Sequence, residues 1–228
     1  ASTPRDPAEG FMVVLDRLLA SESVGPESVT ALIHATTVAT NAIIQGRAAK
    51  TGLITTKGFR DLFMIARQIR PKIYDFFADK PVPLIPRELA CEVTERLDAS
   101  GAVVEPLNVE EVRQAARRLH ALRVEAIVVC FLHSYLNPAH ELEAGAVVRE
   151  EFPEAYLSLS SQVCPEIREY FRASTAAVNA CIMPVTARYL DRVQASLAER
   201  GVRGALYVMQ SSGGILAAEV ARDKPVHM

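Results

Sequence analysis

Ala126-Ile127-Val128-Val129-Cys130-Phe131-Leu132 is the stretch that decides the architecture. It is far too short to span a bilayer. A continuous rather than alternating apolar run belongs to a central strand covered on both faces, the habit of parallel sheets. On its N-terminal side, Asn108 caps a strongly amphipathic helix whose Val109, Val112, Ala116, Leu119 and Leu122 share one face. Glu111, three residues on, completes the cap. On its C-terminal side, Asn137-Pro138 opens a helix reaching about Glu151, and residues 156–160 form a strand of alternating character.

The same alternation extends outward. Asp6 caps, Pro7 takes the first helical position and Glu9 follows at capping distance, with Phe11, Val14, Leu15, Leu18 and Leu19 as the buried stripe. Strands are expected at 31–33 and 52–55, a helix at 38–45 stopped by Gly46, and another at 59–66. Pro71, Pro81, Pro83 and Pro86 mark an ordered surface loop. Residues 91–97 and 102–104 flank Asp98-Ala99-Ser100-Gly101 as a hairpin. Residues 174–200 keep helical period until Gly201, and Pro184 should kink that helix or split it in two. A strand at 205–210 and a short helix at 215–221 close the chain. Strands alternating with helices give an α/β fold, a mostly parallel sheet with helices on its faces. A boundary is expected near Ser174, with 1–173 as one domain and 174–228 as the start of a second.

Composition narrows the function. Half of the 228 residues are hydrophobic, 23% are charged and the formal net charge is −2. That is globular composition, without the electrostatic footprint of a nucleic-acid or anionic-membrane binder. The N-terminal residues do not form a basic head followed by an apolar stretch. Cys91, Cys130, Cys164 and Cys181 lack metal-ligand spacing, so a cytoplasmic protein with reduced thiols and no metal site of its own is expected.

Four motifs then carry the chemistry. No Gly-x-Gly-x-x-Gly is present, and Lys50-Thr51 lies in the wrong context for a P-loop. Ser211-Ser212-Gly213-Gly214 follows an apolar strand and precedes a helix. It is either an anion cradle or a plain strand-to-helix turn. His34, Thr36, Thr37 and Asn41 crowd a strand's C-terminal end, where α/β proteins bind ligands, although Thr36 or Thr37 also suits a helix cap. Arg67, Arg70, Lys72, Tyr74 and Asp75 surround Pro71 as a carboxylate, phosphate or lactam binder, or as a solvated basic loop. Glu166 to Arg172 interleaves acids and bases as a salt-bridged helix start. His133, Ser134 and Tyr135 follow the central strand, and Cys164 lacks a histidine to activate it.

Six blocks resemble the hydantoinase A/5-oxoprolinase family, in its order. They are His34-Ala-Thr-Thr-Val-Ala-Thr-Asn-Ala42, Leu53-Ile-Thr-Thr-Lys-Gly-Phe-Arg-Asp61, Arg67-Gln-Ile-Arg-Pro-Lys-Ile-Tyr-Asp75, Cys130-Phe-Leu-His-Ser-Tyr135 with Asn137-Pro-Ala-His140, Pro165-Glu-Ile-Arg-Glu-Tyr170 and Met209-Gln-Ser-Ser-Gly-Gly214. The resemblance implies a ribonuclease-H-like, actin/sugar-kinase-type ATPase fold. It implies ATP-dependent hydrolysis of cyclic amides such as hydantoin or 5-oxoproline, through phosphorylation of the carbonyl, with ATP and Mg²⁺ as cofactors of the complete protein. A subunit of a ketone (acetone or acetophenone) carboxylase is the alternative, and a non-catalytic interaction domain is a third. A hydantoinase B-type subunit or domain is the implied partner. On this resemblance His34, Thr36, Thr37 and Asn41 lie near the reacting phosphoryl or substrate oxygen. Arg67, Arg70 and Tyr74 orient the substrate, and Ser212, Gly213 and Gly214 line the nucleotide cleft.

Three departures accompany the match. The chain begins after the family's Asp-x-Gly-Gly-Thr-Phe-Thr-Asp hairpin and stops before its Gly-Pro-rich phosphate turn, with the second domain barely begun, so a truncated chain inactive toward ATP by itself is expected. Ala35 stands where glycine is usual, and Phe171 where an acid is usual.

Overall fold

The computed structural model describes residues 7–69, 71–75 and 77–228. The cap expected from Asp6 lies outside them. In order, the elements are α1 (Pro7–Glu22), β1 (Ala31–His34), α2 (Val38–Ile44), β2 (Thr51–Thr56), α3 (Leu62–Ile65), β3 (Ala90–Val93), β4 (Arg96–Leu97), β5 (Val103–Glu105) and α4 (Val109–Ala121). They continue with β6 (Ala126–Cys130), α5 (Ala139–Glu151), β7 (Tyr156–Leu159), α6 (Ser160–Val163), α7 (Glu169–Glu199), β8 (Ala205–Met209), β9 (Ile215–Ala217) and α8 (Ala218–Asp223). Two compact units emerge, one of residues 49–181 and one of residues 1–48 with 182–228. The boundary expected near Ser174 falls inside α7.

In the unit of residues 49–181, a four-stranded parallel sheet runs β3-β2-β6-β7. β2 and β6 are interior and buried at every residue, as the continuous apolar run requires. Val112, Ala116 and Leu119 of α4, Ala144 and Val148 of α5, and Ala173, Ala176, Ala177 and Ala180 of α7 join the strands in one core. The helix–sheet approach is close. A Cβ on Gly52 would meet the Leu119 side chain at 2.6 Å, so β2 needs a glycine there. Burying a side chain such as Leu119 contributes about 1.5–3 kcal/mol.

In the other unit, β1 runs parallel to β8 and β8 antiparallel to β9. Met12 and Leu15 of α1, Leu190 and Val193 of α7, Val208 of β8 and Ala218 of α8 make its core. Arg200 clamps Asp16 through two contacts of 2.8 and 3.1 Å, which holds that carboxyl below its usual pKa.

Several elements differ from the sequence reading. The strand expected at 91–97 divides, because Glu95 turns inward to His140 and Thr56 between β3 and β4. Asn108 does cap α4, accepting from Glu111 N at 3.2 Å, but the Glu111 carboxylate instead takes Thr94 N at 2.6 Å. α3 is confined to residues 62–65 because Glu92 Oε1 pins the preceding turn, accepting from Gly58 N (2.7 Å) and Arg60 N (3.3 Å). α7 starts at Glu169 and runs unbroken through Pro184. The helix expected at 215–221 is instead strand β9 followed by α8, so residues 210–214 are a hairpin turn.

Candidate functional site

Parallel pairing of β1 with β8 sets His34 opposite Val208, so the carboxyl ends of both strands share one sheet edge. His34 is the last residue of β1, Thr36, Thr37 and Asn41 follow it, and Ser211 to Gly214 follow the same end of β8. The structure therefore brings two separately read motifs together. At the hairpin, Gly213 N donates to Gln210 O at 3.0 Å and Gln210 N to Gly214 O at 2.7 Å. Gly213 sits at φ +91°, the glycine position of a bulged three-residue hairpin loop, and a Cβ there would meet nothing within 4 Å. This turn does not begin a helix, which corrects the cradle expected from an N-terminus. What it offers an anion is exposed Ser211 and Ser212 hydroxyls on an open glycine turn.

The four residues of the β1 edge divide into two kinds. His34 is buried: its Nε2 lies 2.6 Å from the Tyr189 hydroxyl oxygen, and its ring lies 4.4 Å from that of Phe11. Burial pushes its pKa below 6.5, which keeps the imidazole neutral. Thr36 Oγ1 accepts from Val38 N at 3.3 Å, a local turn into α2, and Asn41 Nδ2 donates to Thr37 Oγ1 at 3.1 Å. Thr37 and Asn41 are exposed.

In the larger unit, Arg67 and Tyr74 are both exposed, while Arg70 lies outside the described residues. The Arg67 guanidinium sits over the Phe171 ring, 5.5 Å from its centroid. Tyr74 is 93% exposed and makes no enclosed site.

Sequence reading missed a buried polar network at the carboxyl edge of the four-stranded sheet. Glu141, fully buried, accepts from Phe131 N (3.0 Å), Ser160 Oγ (2.6 Å) and Ser161 N (2.8 Å). Arg172, 1% exposed, donates to Ser160 Oγ (3.1 Å), Glu166 O (2.9 Å) and Phe131 O (2.7 Å). Beside it the Glu95 carboxylate binds Thr56 Oγ1 and lies 2.9 Å from His140 Nδ1. Both charges are compensated, as burial demands. The available signal was Arg172 itself, which shares a helical face with Ala173, Ala176 and Ala180. Cys91, Cys130 and Cys181 are buried free thiols, and burial raises all three above the usual thiol range. Burial, with Glu141 nearby, pushes Cys130 up to about 12, and burial raises Cys181 to about 11.

Residues 1–152 match the family model for the hydantoinase/oxoprolinase N-terminal region, and 172–228 match that for hydantoinase/oxoprolinase. The chain belongs to the hydantoinase/oxoprolinase family. An uncharacterised protein of Methanocaldococcus jannaschii is 39% identical over 98% of this chain and 33% of its own length. The caprolactamase alpha subunit of Pseudomonas jessenii is 34% identical over 86% of this chain and 28% of its own. The crystal structure of that organism's ATP-dependent caprolactamase superposes with a TM-score of 0.86 at 29% identity, covering 99% of this chain and 34% of that one. Nucleotide-free acetone carboxylase, from a study of ATP-dependent acetone carboxylation, gives 0.83 at 27% identity, over 97% and 34%. These likenesses give the chain the actin-like ATPase fold expected from its sequence. It spans about a third of the length of the relatives it matches. Among the described residues, no helix is long and apolar enough to cross a membrane.

Proposed function

We propose that this chain is part of an ATP-dependent cyclic-amide hydrolase. The observation that carries the reading is the His34–Val208 register, which gathers hydroxyls, an amide and an open glycine turn at one sheet edge. That donor set suits phosphate oxygens. Ser212, Gly213 and Gly214 would hold nucleotide, with Thr36, Thr37 and Asn41 nearer the transferred phosphoryl group. When bound, ATP supplies the phosphoryl group that activates an amide carbonyl toward water. The residues of this chain position and neutralise.

His34 serves this edge as a positioning group. Its neutral ring, held against Tyr189 and Phe11, fixes the direction in which the chain leaves β1. Arg67 is the substrate-facing cation, and Arg70 and Tyr74 belong to the same proposed loop. Among the described residues no three His, Cys, Asp or Glu side chains gather as a metal site, and no Mg²⁺ ligand is assigned to this chain.

The likeness to acetone carboxylase favours a second reading, a subunit of a ketone carboxylase. A hydantoinase B-type partner fits either, since the caprolactamase relative is itself one subunit. The four free cysteines support a reducing, cytoplasmic setting. Thermal shift of the complete protein with its partner tests the reading. ATP with Mg²⁺ and a lactam should each raise Tm. Co-purification with the partner and no shift from either ligand would leave only a non-catalytic interaction domain.

A further inference from the structure

Six non-glycine residues have positive φ among the described residues, and Ser23 and Arg123 simply end helices α1 and α4. Three of the others bracket two charges. Ala66 (φ 50°, ψ −129°) and Gln68 (φ 56°) flank Arg67, and Arg168 (φ 75°) precedes Glu169. Backbone held in such regions gathers at ligand clamps, where its surroundings over-determine it. Here the bracketed charges line one cavity of about 340 Å³, together with Gly58, Leu62 and Tyr170. A second cavity of about 650 Å³ shares Ile65, Ala66 and Tyr170 with the first and is walled by Phe63, Pro81, Pro83 and Val178. The first recess holds Arg67, Glu169 and Asp61, of which Asp61 is already paired with Arg87, and it adjoins a mainly apolar one whose charged residues are Asp79 and Lys80.

Both bracketed charges are available to a ligand. Among the described residues the Arg67 N–H groups and the Glu169 carboxylate have no hydrogen-bond or ion-pair partner. The Phe171 ring lies 5.5 Å from the guanidinium carbon and offers its N–H groups no lone pair or carboxylate. An acid at that position would bind those donors itself.

We propose that the two cavities form one subsite for a cyclic amide carrying a ring N–H. Arg67 donates to the carbonyl oxygen, Glu169 accepts the ring N–H, and Phe63 with Tyr170 packs the ring methylenes. This rests on the cyclic-amide reading above and deepens it. It also separates the two family chemistries, because a ketone offers no N–H and would leave the Glu169 carboxylate unpaired. A site built on such a hydrogen bond rejects the analogue that lacks it.

The experiment compares ATP-dependent turnover of a lactam, its N-methyl derivative and the cycloketone of equal ring size by the complete protein with its partner. The wild type should favour the lactam over both analogues by at least about 10-fold in kcat/KM, since a missing hydrogen bond at a polar site costs this much or more. Glu169→Leu should raise KM for the lactam about 10- to 100-fold and lower that for the N-methyl lactam, which no longer leaves a carboxylate unpaired, with Glu169→Gln recovering part of the lactam's loss. Phe171→Glu should raise both KM values by capturing Arg67. Equal wild-type use of lactam and N-methyl lactam overturns the inference alone, and so does a Glu169→Leu change that affects both substrates equally. Wild type that opens no lactam at all overturns the parent reading with it.

Discussion

His34 Nε2 lies 2.6 Å from the Tyr189 hydroxyl oxygen, joining residues 155 positions apart at the carboxyl edge of β1. Tyr189→Phe removes the hydroxyl and leaves a buried imidazole nitrogen without it. We expect a loss of about 1–3 kcal/mol in chemical denaturation.

The same ring makes stability depend on pH. Burial lowers the folded pKa of His34 beneath the 6.5 of the unfolded chain, so between the two values the unfolded state binds more protons. The resulting stability is full above pH 6.5 and is lost as pH falls through the folded value. Urea midpoints at pH 8 and pH 5 should differ more for wild type than for His34→Phe, and identical differences would refute this.

Arg172 and Glu141 meet through Ser160 Oγ, which accepts from the first at 3.1 Å and donates to the second at 2.6 Å. Arg172→Leu strands the Glu141 charge and two backbone carbonyls, at a cost of about 3–5 kcal/mol. Calorimetry should show a large drop in Tm. A change within a degree or two would mean that the network is not coupled as drawn.

Gly213→Val places a β-branched side chain at φ +91° in an open turn. The strain is about 1–2 kcal/mol. ATP binding to the complete protein, measured by titration, should weaken more than this loss of stability accounts for.

Legibility followed the range of the interactions. The interior position of β6 was readable because burial on both faces writes itself into seven adjacent residues. The Asn108 cap was readable because its partner is three residues away. The destination of the Glu111 carboxylate was not, since Thr94 reaches α4 only through tertiary structure. Glu95 breaks an apparent strand because His140, 45 positions on, draws it inward. Ser211 to Gly214 carried the signature of a bulged hairpin, but the strand after it has only three residues, too few for alternation to be distinguished from helical period. The motif His34 to Asn41 was recognisable as a strand-end site. That it shares an edge with Ser211 to Gly214 depends on the β1–β8 register.

The account rests on coupling between nucleotide and cyclic amide. Phosphate release and ring opening should be measured together, with the complete protein, its partner subunit, ATP, Mg²⁺ and a panel of a lactam, hydantoin and 5-oxoproline. The account predicts that one of these ring compounds stimulates phosphate release strongly, with one phosphate formed per ring opened. ATP hydrolysis that proceeds at the same rate with no cyclic amide or ketone present would contradict it.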